Sequence, residues 1–388
     1  MLARAWILLG LVAACGGDNN PTASSNFFPL ASVGTGGLNS CGLTPVGAAY
    51  CWGSGGFAQL GDSGNFRDSP TPQAVYGGFI FTSLSVGEFH SCALTAAGVV
   101  YCWGEGYNDR PVLADSAGPV FASVTVGGSH LCGLTAVGAA YCWGVNYDGQ
   151  LGNGNSLGPE LCGSFACSTT PIAVAGGLSF VQLSAGNSFT CGLTSTHVAY
   201  CWGFNGQGQL GVGTTQGPEI CGSGAHCSAS PAAVSGGLSF TTISAGTFHT
   251  CAVTTAGKAY CWGDNETGEL GNGTTDRDTI PIAVSGGLTF SQVTTGVTHT
   301  CAVTPGGVAY CWGTGGRLGN GDTTNSAVPV RVSGNLTFVS VRSGPQSANT
   351  CGITRTKTNL AVCWGSNSYG QLGDGSTRDS PVPVVVVP

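Results

Sequence analysis

The tripeptide Cys-Trp-Gly recurs seven times along this chain of 388 residues, and this repetition restricts the fold more than any other feature. Its cysteines are spaced by 40 to 60 residues, at positions 51, 102, 142, 201, 261, 311 and 363. A period in this range is typical of repeat architectures, in which each unit buries its apolar face against its neighbours. The seven units account for nearly all of residues 27–388, so no second domain is needed.

One unit, residues 231–263, contains four short extended segments, PAAV, FTTISAG, HTCAVT and AYCWG, separated by turns. Charged residues make up 7% of the chain and there are 67 glycines. This composition argues against helices with charged outer faces and favours many short strands. We therefore predict an all-β fold, a seven-bladed β-propeller of four-stranded antiparallel blades, rather than a parallel β-helix, whose rungs are about half as long.

A second cysteine precedes each Cys-Trp-Gly by ten residues, or by twelve in the last unit. If Cys251 and Cys261 lie opposite each other in a hairpin, Thr255, Ala256 and Gly257 form a three-residue loop whose last residue has a left-handed backbone conformation. An insertion of two residues keeps the last pair opposed. Directly opposed cysteines can form a disulfide, so we predict an intra-blade bridge in each hairpin: Cys41–Cys51, Cys92–Cys102, Cys132–Cys142, Cys191–Cys201, Cys251–Cys261, Cys301–Cys311 and Cys351–Cys363.

Two adjacent units carry insertions at the same place, GPELCGSFACSTTP (158–171) and GPEICGSGAHCSASP (217–231). Each insertion has its own cysteine pair, which we predict to be the disulfides Cys162–Cys167 and Cys221–Cys227. Long loops on a rigid scaffold often carry binding residues, and a disulfide reduces the entropy lost on binding. We hypothesise that the insertions form one raised rim that contacts a protein or a glycan through Leu161, Phe165, Ile220 and His226. The alternative is that both are decorative extensions.

The amino terminus, MLARAWILLGLVAAC, has Arg4, then an apolar run, then small residues, as a signal peptide does. The segment before Cys15 resembles the lipobox of bacterial lipoproteins, in which the cysteine is lipidated; an ordinary secretory signal is the alternative. We predict a lipoprotein signal peptide at 1–14, a flexible tether at 15–26 and the propeller at 27–388. The protein would then be lipid-anchored and extracytoplasmic in the bacterial cell envelope. Without Cys15, eighteen of the 19 cysteines remain for nine bridges in an oxidising compartment.

Residues 244–275, SAGTFHTCAVTTAGKAYCWGDNETGELGNGTT, resemble the repeat of the regulator of chromosome condensation family. The Leu-Gly loop of this string recurs as NYDGQLGNG, NGQGQLGVG and NSYGQLGDG, and the resemblance implies a seven-bladed propeller. The unit after Cys102 lacks this loop, so we expect one blade with a shortened outer connection. Nuclear members of the family act as exchange factors for a small GTPase and bind nucleosomes. The export signal and the net charge of −7 oppose such a role, and we expect no nucleic-acid partner.

Residues 380–387, SPVPVVVV, match the strand that we place at the start of each later blade, such as SPAAV at 230–234. The first unit has no such strand before it. We therefore expect the carboxyl-terminal strand to pair into the first blade and close the ring.

Four histidines share one repeat position, two residues before the first cysteine of a hairpin: His90, His130, His249 and His299. They could bind a metal near the central channel, but Phe189 interrupts the series. We favour packing of each imidazole over the glycine of Cys-Trp-Gly, and we expect no metal and no cofactor. The acidic loop at 264–278 could bind Ca²⁺, and turn chemistry is the simpler interpretation.

No Ser-His-Asp set, acid–base pair or phosphate-binding loop stands out from the repeats, so we expect no catalytic residues and no enzyme. The predicted function is an extracytoplasmic binding or scaffold module for a protein or glycan partner. We expect a monomer that reaches the membrane through its lipid anchor only. Secreted members of the family include a propeller that inhibits β-lactamases, so an inhibitor using one propeller face is an alternative. A propeller hydrolase or lyase is another.

Overall fold

The structure is a computed structural model that describes residues 28–64, 66–114, 118–356 and 358–388. The predicted signal peptide, Cys15 and the tether lie outside these residues. Within them the chain forms thirty β-strands in seven antiparallel sheets, each made of strands that are consecutive in the sequence. The prediction of a seven-bladed propeller is confirmed. The described ranges contain no helix with the length and apolar character needed to cross a membrane.

Blades 1 and 2 each have four strands, β1 (Ser32–Thr35), β2 (Asn39–Leu43), β3 (Ala49–Gly53) and β4 (Ser69–Ala74), then β5 (Ser83–Val86), β6 (His90–Leu94), β7 (Val100–Gly104) and β8 (Val112–Leu113). Blades 3 and 4 each have five, β9 (Ser123–Val126), β10 (His130–Leu134), β11 (Ala140–Val145), β12 (Glu160–Cys162) and β13 (Phe165–Ala173), then β14 (Phe180–Ala185), β15 (Phe189–Thr194), β16 (Ala199–Phe204), β17 (Glu219–Ile220) and β18 (His226–Ala233).

Blades 5, 6 and 7 return to four strands each. Their strands are β19 (Phe240–Ala245), β20 (His249–Thr254), β21 (Ala259–Gly263) and β22 (Asp278–Ala283), then β23 (Gln292–Thr295), β24 (His299–Val303), β25 (Ala309–Gly313) and β26 (Ser326–Arg331), then β27 (Phe338–Arg342), β28 (Asn349–Thr354), β29 (Ala361–Gly365) and β30 (Ser380–Val385).

The cysteines set the register of the two middle strands in every blade. Cys251 lies opposite Cys261, and the residues that follow and precede them pair a small side chain with a large one, Ala252 with Tyr260. The last hairpin keeps its cysteines opposed despite its longer loop. A disulfide joins each opposed pair, with Cα atoms 4.0 to 4.1 Å apart. The hairpin loops end in the left-handed region, even at His197, where φ is 67°.

The expected ring closure by a strand from the carboxyl terminus is wrong. The outermost strand of a blade follows its Cys-Trp-Gly strand in sequence, so β30 pairs with β29 of its own blade, and β4 already covers the outer side of β3 in blade 1. The ring closes instead by side-chain packing and hydrogen bonds between blades 7 and 1, such as the one from the Gly375 N–H to the Pro70 carbonyl at 3.0 Å. Leu30 and Trp52 of blade 1 lie in one apolar cluster with Leu372 and Val386 of blade 7.

The Leu-Gly loop seals the contact between neighbouring blades. Its leucine is 0–1% exposed in all six loops that have it: Leu60, Leu151, Leu210, Leu270, Leu318 and Leu372. The glycine after the leucine lies flat against the tryptophan of the next blade, where a Cβ atom on Gly211 would come within 2.6 Å of Trp262 Nε1. The loop also presents a backbone carbonyl to that tryptophan, as Gln209 does to the Trp262 indole N–H at 2.9 Å.

Blade 2 departs from this arrangement, as its sequence indicates. Its chain turns tightly after β7, because Gly104 N–H donates to the Asn108 carbonyl and Tyr107 N–H donates to the Gly104 carbonyl. The outer strand β8 is reduced to two residues, Val112 and Leu113. No Leu-Gly loop therefore reaches from blade 2 to blade 3.

Candidate functional site

The two insertions fold as hairpins at the outer edges of blades 3 and 4. In blade 3, β12 pairs with the first part of β13, and a disulfide joins Cys162 to Cys167. In blade 4, β17 pairs with the first part of β18, and a disulfide joins Cys221 to Cys227. Because β13 and β18 continue as the outer strands of their sheets, each hairpin is held by its blade. We call residues 158–170 and 217–230 the rim.

Tyr147, in the loop after β11, joins the two halves of the rim. Its ring packs edge-on against the ring of Phe165, with centroids 5.2 Å apart. Its carbonyl oxygen accepts a hydrogen bond from the Gly222 N–H at 3.0 Å. The next residue, Asp148, accepts a hydrogen bond from the Ser223 hydroxyl, and burial raises the pKa of its carboxyl. Hairpins from different blades thus form one continuous surface.

Three of the four residues predicted to bind a partner are exposed on this surface. Leu161, Ile220 and Phe165 are 73%, 60% and 47% exposed. His226 is half-buried, and its carbonyl accepts a hydrogen bond from the Asn205 N–H, so its backbone helps hold the hairpin to the blade. Whether these residues bind a partner stays a prediction. Sequence reasoning missed Tyr147, because its role depends on contacts with two distant segments.

The repeated histidines are buried at the blade contacts, each opposite the glycine of its Cys-Trp-Gly. Three of them hydrogen-bond through Nε2 to a threonine hydroxyl of the next blade, His130 to Thr190 at 2.8 Å, His249 to Thr300 at 2.9 Å and His299 to Thr350 at 2.8 Å. Burial lowers the pKa of each of these three imidazoles to about 3, so they are neutral at pH 7. This geometry agrees with packing over glycine.

The acidic loop of blade 5 uses its carboxylates internally. Asp264 lies 3.7 Å from Arg277, and Glu269 accepts hydrogen bonds from the backbone and hydroxyl of Thr267. These contacts are turn chemistry. Among the described residues, the one close group of three metal-ligand side chains is Glu219, Cys221 and Cys227, and its two cysteines are joined in a disulfide.

The central channel has a volume of about 620 Å³ and is lined by the innermost strands, which contribute serine, threonine and glutamine together with valine, leucine and alanine. Arg342 is the one charged residue that lines it within the described ranges. A longer loop of blade 7 crosses one mouth of the channel. There the Thr247 hydroxyl of blade 5 donates to the Pro345 carbonyl, and Gln346 hydrogen-bonds to Glu88 of blade 2.

A cleft of about 570 Å³ opens between blades 2 and 3, beside the rim. Its walls include His90 and Tyr107 of blade 2, and Trp143 and Phe165 of blade 3. The sequence signal for this cleft was the missing Leu-Gly loop after Cys102. The residues that line it could not be assembled from sequence, because they come from different blades.

The fold and its surfaces define a class of protein, a rigid repeat propeller that serves as a binding or scaffold module. The chain belongs to the regulator of chromosome condensation (RCC1) repeat family. One model of this repeat matches residues 47–94, 138–193, 197–253, 256–303, 306–348 and 363–388, and a second matches 81–110, 121–150, 180–209 and 240–269.

Relatives of known identity match about two thirds of this chain. The ultraviolet-B receptor UVR8 of Arabidopsis thaliana is 31% identical over 250 residues, which are 63% of this chain and 44% of the receptor. The mitochondrial protein RUG3 of the same plant is 28% identical over 265 residues, 66% of this chain and 48% of RUG3. Human E3 ubiquitin-protein ligase HERC2 is 29% identical over 261 residues, 64% of this chain and 5% of the ligase. The chain thus spans less than half the length of these relatives.

Solved structures share the fold at lower identity. Human WBSCR16 aligns with a TM-score of 0.74 at 19% identity, covering 88% of this chain and 94% of that one. Prp20p of Saccharomyces cerevisiae, described as binding Gsp1p and histones, aligns with a TM-score of 0.70 at 21% identity, covering 84% and 83%. At these identities the likeness shows the fold alone.

Proposed function

We propose that this protein is a lipid-anchored, extracytoplasmic binding module of the bacterial cell envelope whose rim binds a protein partner. The observation that carries the proposal is the joining of two disulfide-bridged hairpins through Tyr147 into one surface that exposes Leu161 and Ile220. Apolar side chains held on rigid loops lose little entropy on binding, which is what an interface anchor requires.

A protein partner fits the rim better than a glycan does. Leu161 and Ile220 offer apolar area and no hydrogen-bonding group, whereas recognition of a sugar needs polar groups placed around an aromatic ring. Propellers of this fold accommodate protein partners, as Prp20p does with Gsp1p and histones. A nucleic-acid partner is disfavoured, because a net charge of −7 repels phosphate.

The nine disulfides support an extracytoplasmic location, because such bridges form and persist in oxidising compartments. The lipid anchor rests on the sequence before Cys15. Replacement of Cys15 by serine should abolish incorporation of a labelled fatty acid and release the protein from the membrane fraction. Retention of the label in the Cys15→Ser variant would contradict the anchor.

The rim is tested by cross-linking in intact cells, followed by identification of the captured proteins. The variant Leu161→Ser with Ile220→Ser should lose a specific partner. A matched control, Val46→Ser with Val137→Ser, removes equally exposed side chains (73% and 83%) from hairpin turns on the opposite face and should keep it. The proposal is wrong if both variants capture the same proteins as the wild type. Loss of capture after enzymatic removal of cell-surface glycans would favour a glycan partner instead.

A further inference from the structure

The cleft between blades 2 and 3 exists because a sealing loop is absent. In blades 3, 4, 5 and 7, an asparagine four residues after the second cysteine organises the loop; the Asn205 side chain donates to the Thr214 and Gln216 carbonyls and accepts from the Leu210 N–H. Blade 2 has Gly106 at this position. Gly55 and Gly315 hold the same position in blades 1 and 6, whose loops still bury Leu60 and Leu318, so the space stays open in blade 2 because its connection is too short to carry a Leu-Gly loop.

The missing loop leaves a buried donor without a partner. Five tryptophans, Trp52, Trp103, Trp202, Trp262 and Trp312, donate their indole N–H to a carbonyl of the preceding blade's loop. Trp143 is 2% exposed, and its N–H has no acceptor among the residues that the structure describes. The Tyr107 hydroxyl approaches this indole without completing a hydrogen bond. Trp364 also lacks an acceptor, but there Leu318 and Gly319 cover the ring.

A second polar group in the cleft lacks its usual partner. The hydroxyl that hydrogen-bonds to the histidine of the preceding blade belongs to the residue before the first cysteine. In blade 3 that residue is Leu131, which has no hydroxyl. The His90 ring therefore makes no side-chain hydrogen bond within the described part of the chain. Burial lowers the pKa of His90 to about 4, so it is a neutral donor and acceptor at pH 7. Its ring lies 5.8 Å from that of Tyr107.

Charge and shape restrict what can enter. The lining contains one charged side chain, Glu105, and no lysine or arginine, so an anion is repelled. Glu105 would attract a simple cation, but a cation without an acceptor atom leaves the Trp143 N–H unpaired. A neutral ligand that donates and accepts hydrogen bonds and has an apolar face would satisfy Trp143 and His90 while packing on Tyr107 and Phe165.

We propose that this cleft is a binding site for a neutral saccharide unit, whose hydroxyls pair with Trp143, His90 and Glu105 and whose ring packs against the aromatic walls. The site adjoins the rim and shares Phe165 with it, but Leu161 and Ile220 do not line it. Buried polar groups that find partners only in the complex give such a site its selectivity, since a ligand without matching groups leaves them unpaired.

The test uses the mature, disulfide-bonded protein and four neutral disaccharides, maltose, lactose, cellobiose and chitobiose, measured one at a time by saturation-transfer NMR and calorimetry. At least one should bind with one site per chain, and glucuronic acid and glucosamine should bind more weakly. Trp143→Phe, which removes the N–H and keeps a ring, should weaken binding at least tenfold. His90→Phe should weaken binding to the same extent. Phenylalanine suits this position of the fold, because blade 4 carries Phe189 there.

Matched variants separate the site from the fold and from the rim. Trp262→Phe makes the same change in a sealed contact and should leave binding unchanged. Leu161→Ser with Ile220→Ser should also leave it unchanged, whatever its effect on protein capture. Replacing residues 105–111 by the loop sequence of residues 204–214 should fill the cleft and abolish binding. The proposal fails if none of the four disaccharides binds, if the charged sugars bind more tightly, or if Trp143→Phe binds as the wild type does.

Discussion

The contacts between blades 4 and 5 and between blades 2 and 3 join the same kind of sheets in different ways. Between blades 4 and 5, the Gln209 carbonyl accepts hydrogen bonds from the Trp262 indole and the Thr250 hydroxyl, and Leu210 is fully buried beside them. Between blades 2 and 3, Trp143 has no acceptor and a cleft takes the place of the leucine. The sheets set the geometry of the ring, whereas the loops decide whether a contact is sealed or available to a ligand.

The largest expected difference concerns the tryptophans themselves. Trp262→Ala should lower the free energy of unfolding by about 3–5 kcal/mol, because it leaves a large cavity in a sealed contact and removes one of the two hydrogen bonds to the Gln209 carbonyl. Trp143→Ala should cost about 1–2 kcal/mol less, because no hydrogen bond is lost and one side of the ring already faces the cleft. Denaturant unfolding of the oxidised protein measures both. Equal losses would mean that the two contacts are packed alike.

Two glycines with the same backbone conformation sharpen the comparison. Gly211 and Gly106 have φ values of 72° and 79°, so alanine at either position costs about 1–2 kcal/mol from the left-handed backbone alone. A Cβ atom on Gly211 would also meet the Trp262 indole at 2.6 Å, while a Cβ atom on Gly106 has nothing within 4 Å. Gly211→Ala should therefore be more destabilising than Gly106→Ala by about 1–3 kcal/mol. The same unfolding experiment measures both variants. Similar losses of stability would show that the loop shifts easily to make room for the added Cβ atom.

The stability costs of removing threonine hydroxyls at the blade contacts should differ by a smaller amount. Thr190→Val removes a hydroxyl that donates to the Gln150 carbonyl and also leaves the buried His130 Nε2 unpaired, at a cost of about 2 kcal/mol. Thr250 donates to Gln209, but the preceding blade carries Phe189 at the position of the histidine, so Thr250→Val should cost about 1 kcal/mol. If Thr250→Val is the more harmful change, the histidine contact contributes nothing.

The pH dependence of stability provides the finest test. The buried imidazole of His130 has its pKa lowered to about 3, so below pH 6.5 the unfolded chain binds a proton that the folded chain does not. Stability due to His130 is therefore complete above pH 6.5 and falls with pH towards 3, by up to about 1.4 kcal/mol per unit. Carboxyls with raised pKa, such as those of Asp148 and Glu269, act in the opposite direction in every variant.

His130→Phe removes the contribution of His130 to the pH dependence of stability. Blade 4 already has phenylalanine at the same position. The free energy of unfolding, measured from pH 7 to pH 4, should decline less steeply for the variant than for the wild type. At pH 8 the free energies of unfolding of the two proteins should differ little. An unchanged slope would mean that His130 is protonated in the folded protein at mildly acidic pH.

Much of the fold could be predicted because its signals are local. The ten-residue spacing of Cys251 and Cys261 specifies a short hairpin, and the same spacing repeated along the chain specifies the number of blades. The assignment of the outer strand was wrong because such a strand lies between two hairpins in sequence. Local pattern does not say whether residues such as 230–234 pair backward with β16 or belong to the sheet of the following blade; the structure pairs them backward.

The candidate sites divide in the same way. The rim was located from its insertions and cysteines, but its unity depends on Tyr147, whose contacts with Phe165 and Gly222 could not be predicted from the Leu-Gly loop in which it lies. The sequence signal for the cleft was the missing Leu-Gly loop. Its chemistry appears only when Trp143 and Leu131 of blade 3 are placed against His90 of blade 2.

The sequence by itself determined the repeat, the register of each hairpin and the pairing of its cysteines, because these depend on residues a few positions apart. The tertiary structure decided how the ring closes, which outer strand belongs to which blade, and which buried groups lack partners. These outcomes depend on contacts between blades, where a tryptophan finds its acceptor on a loop some fifty residues earlier in the chain, or, like Trp143, finds none.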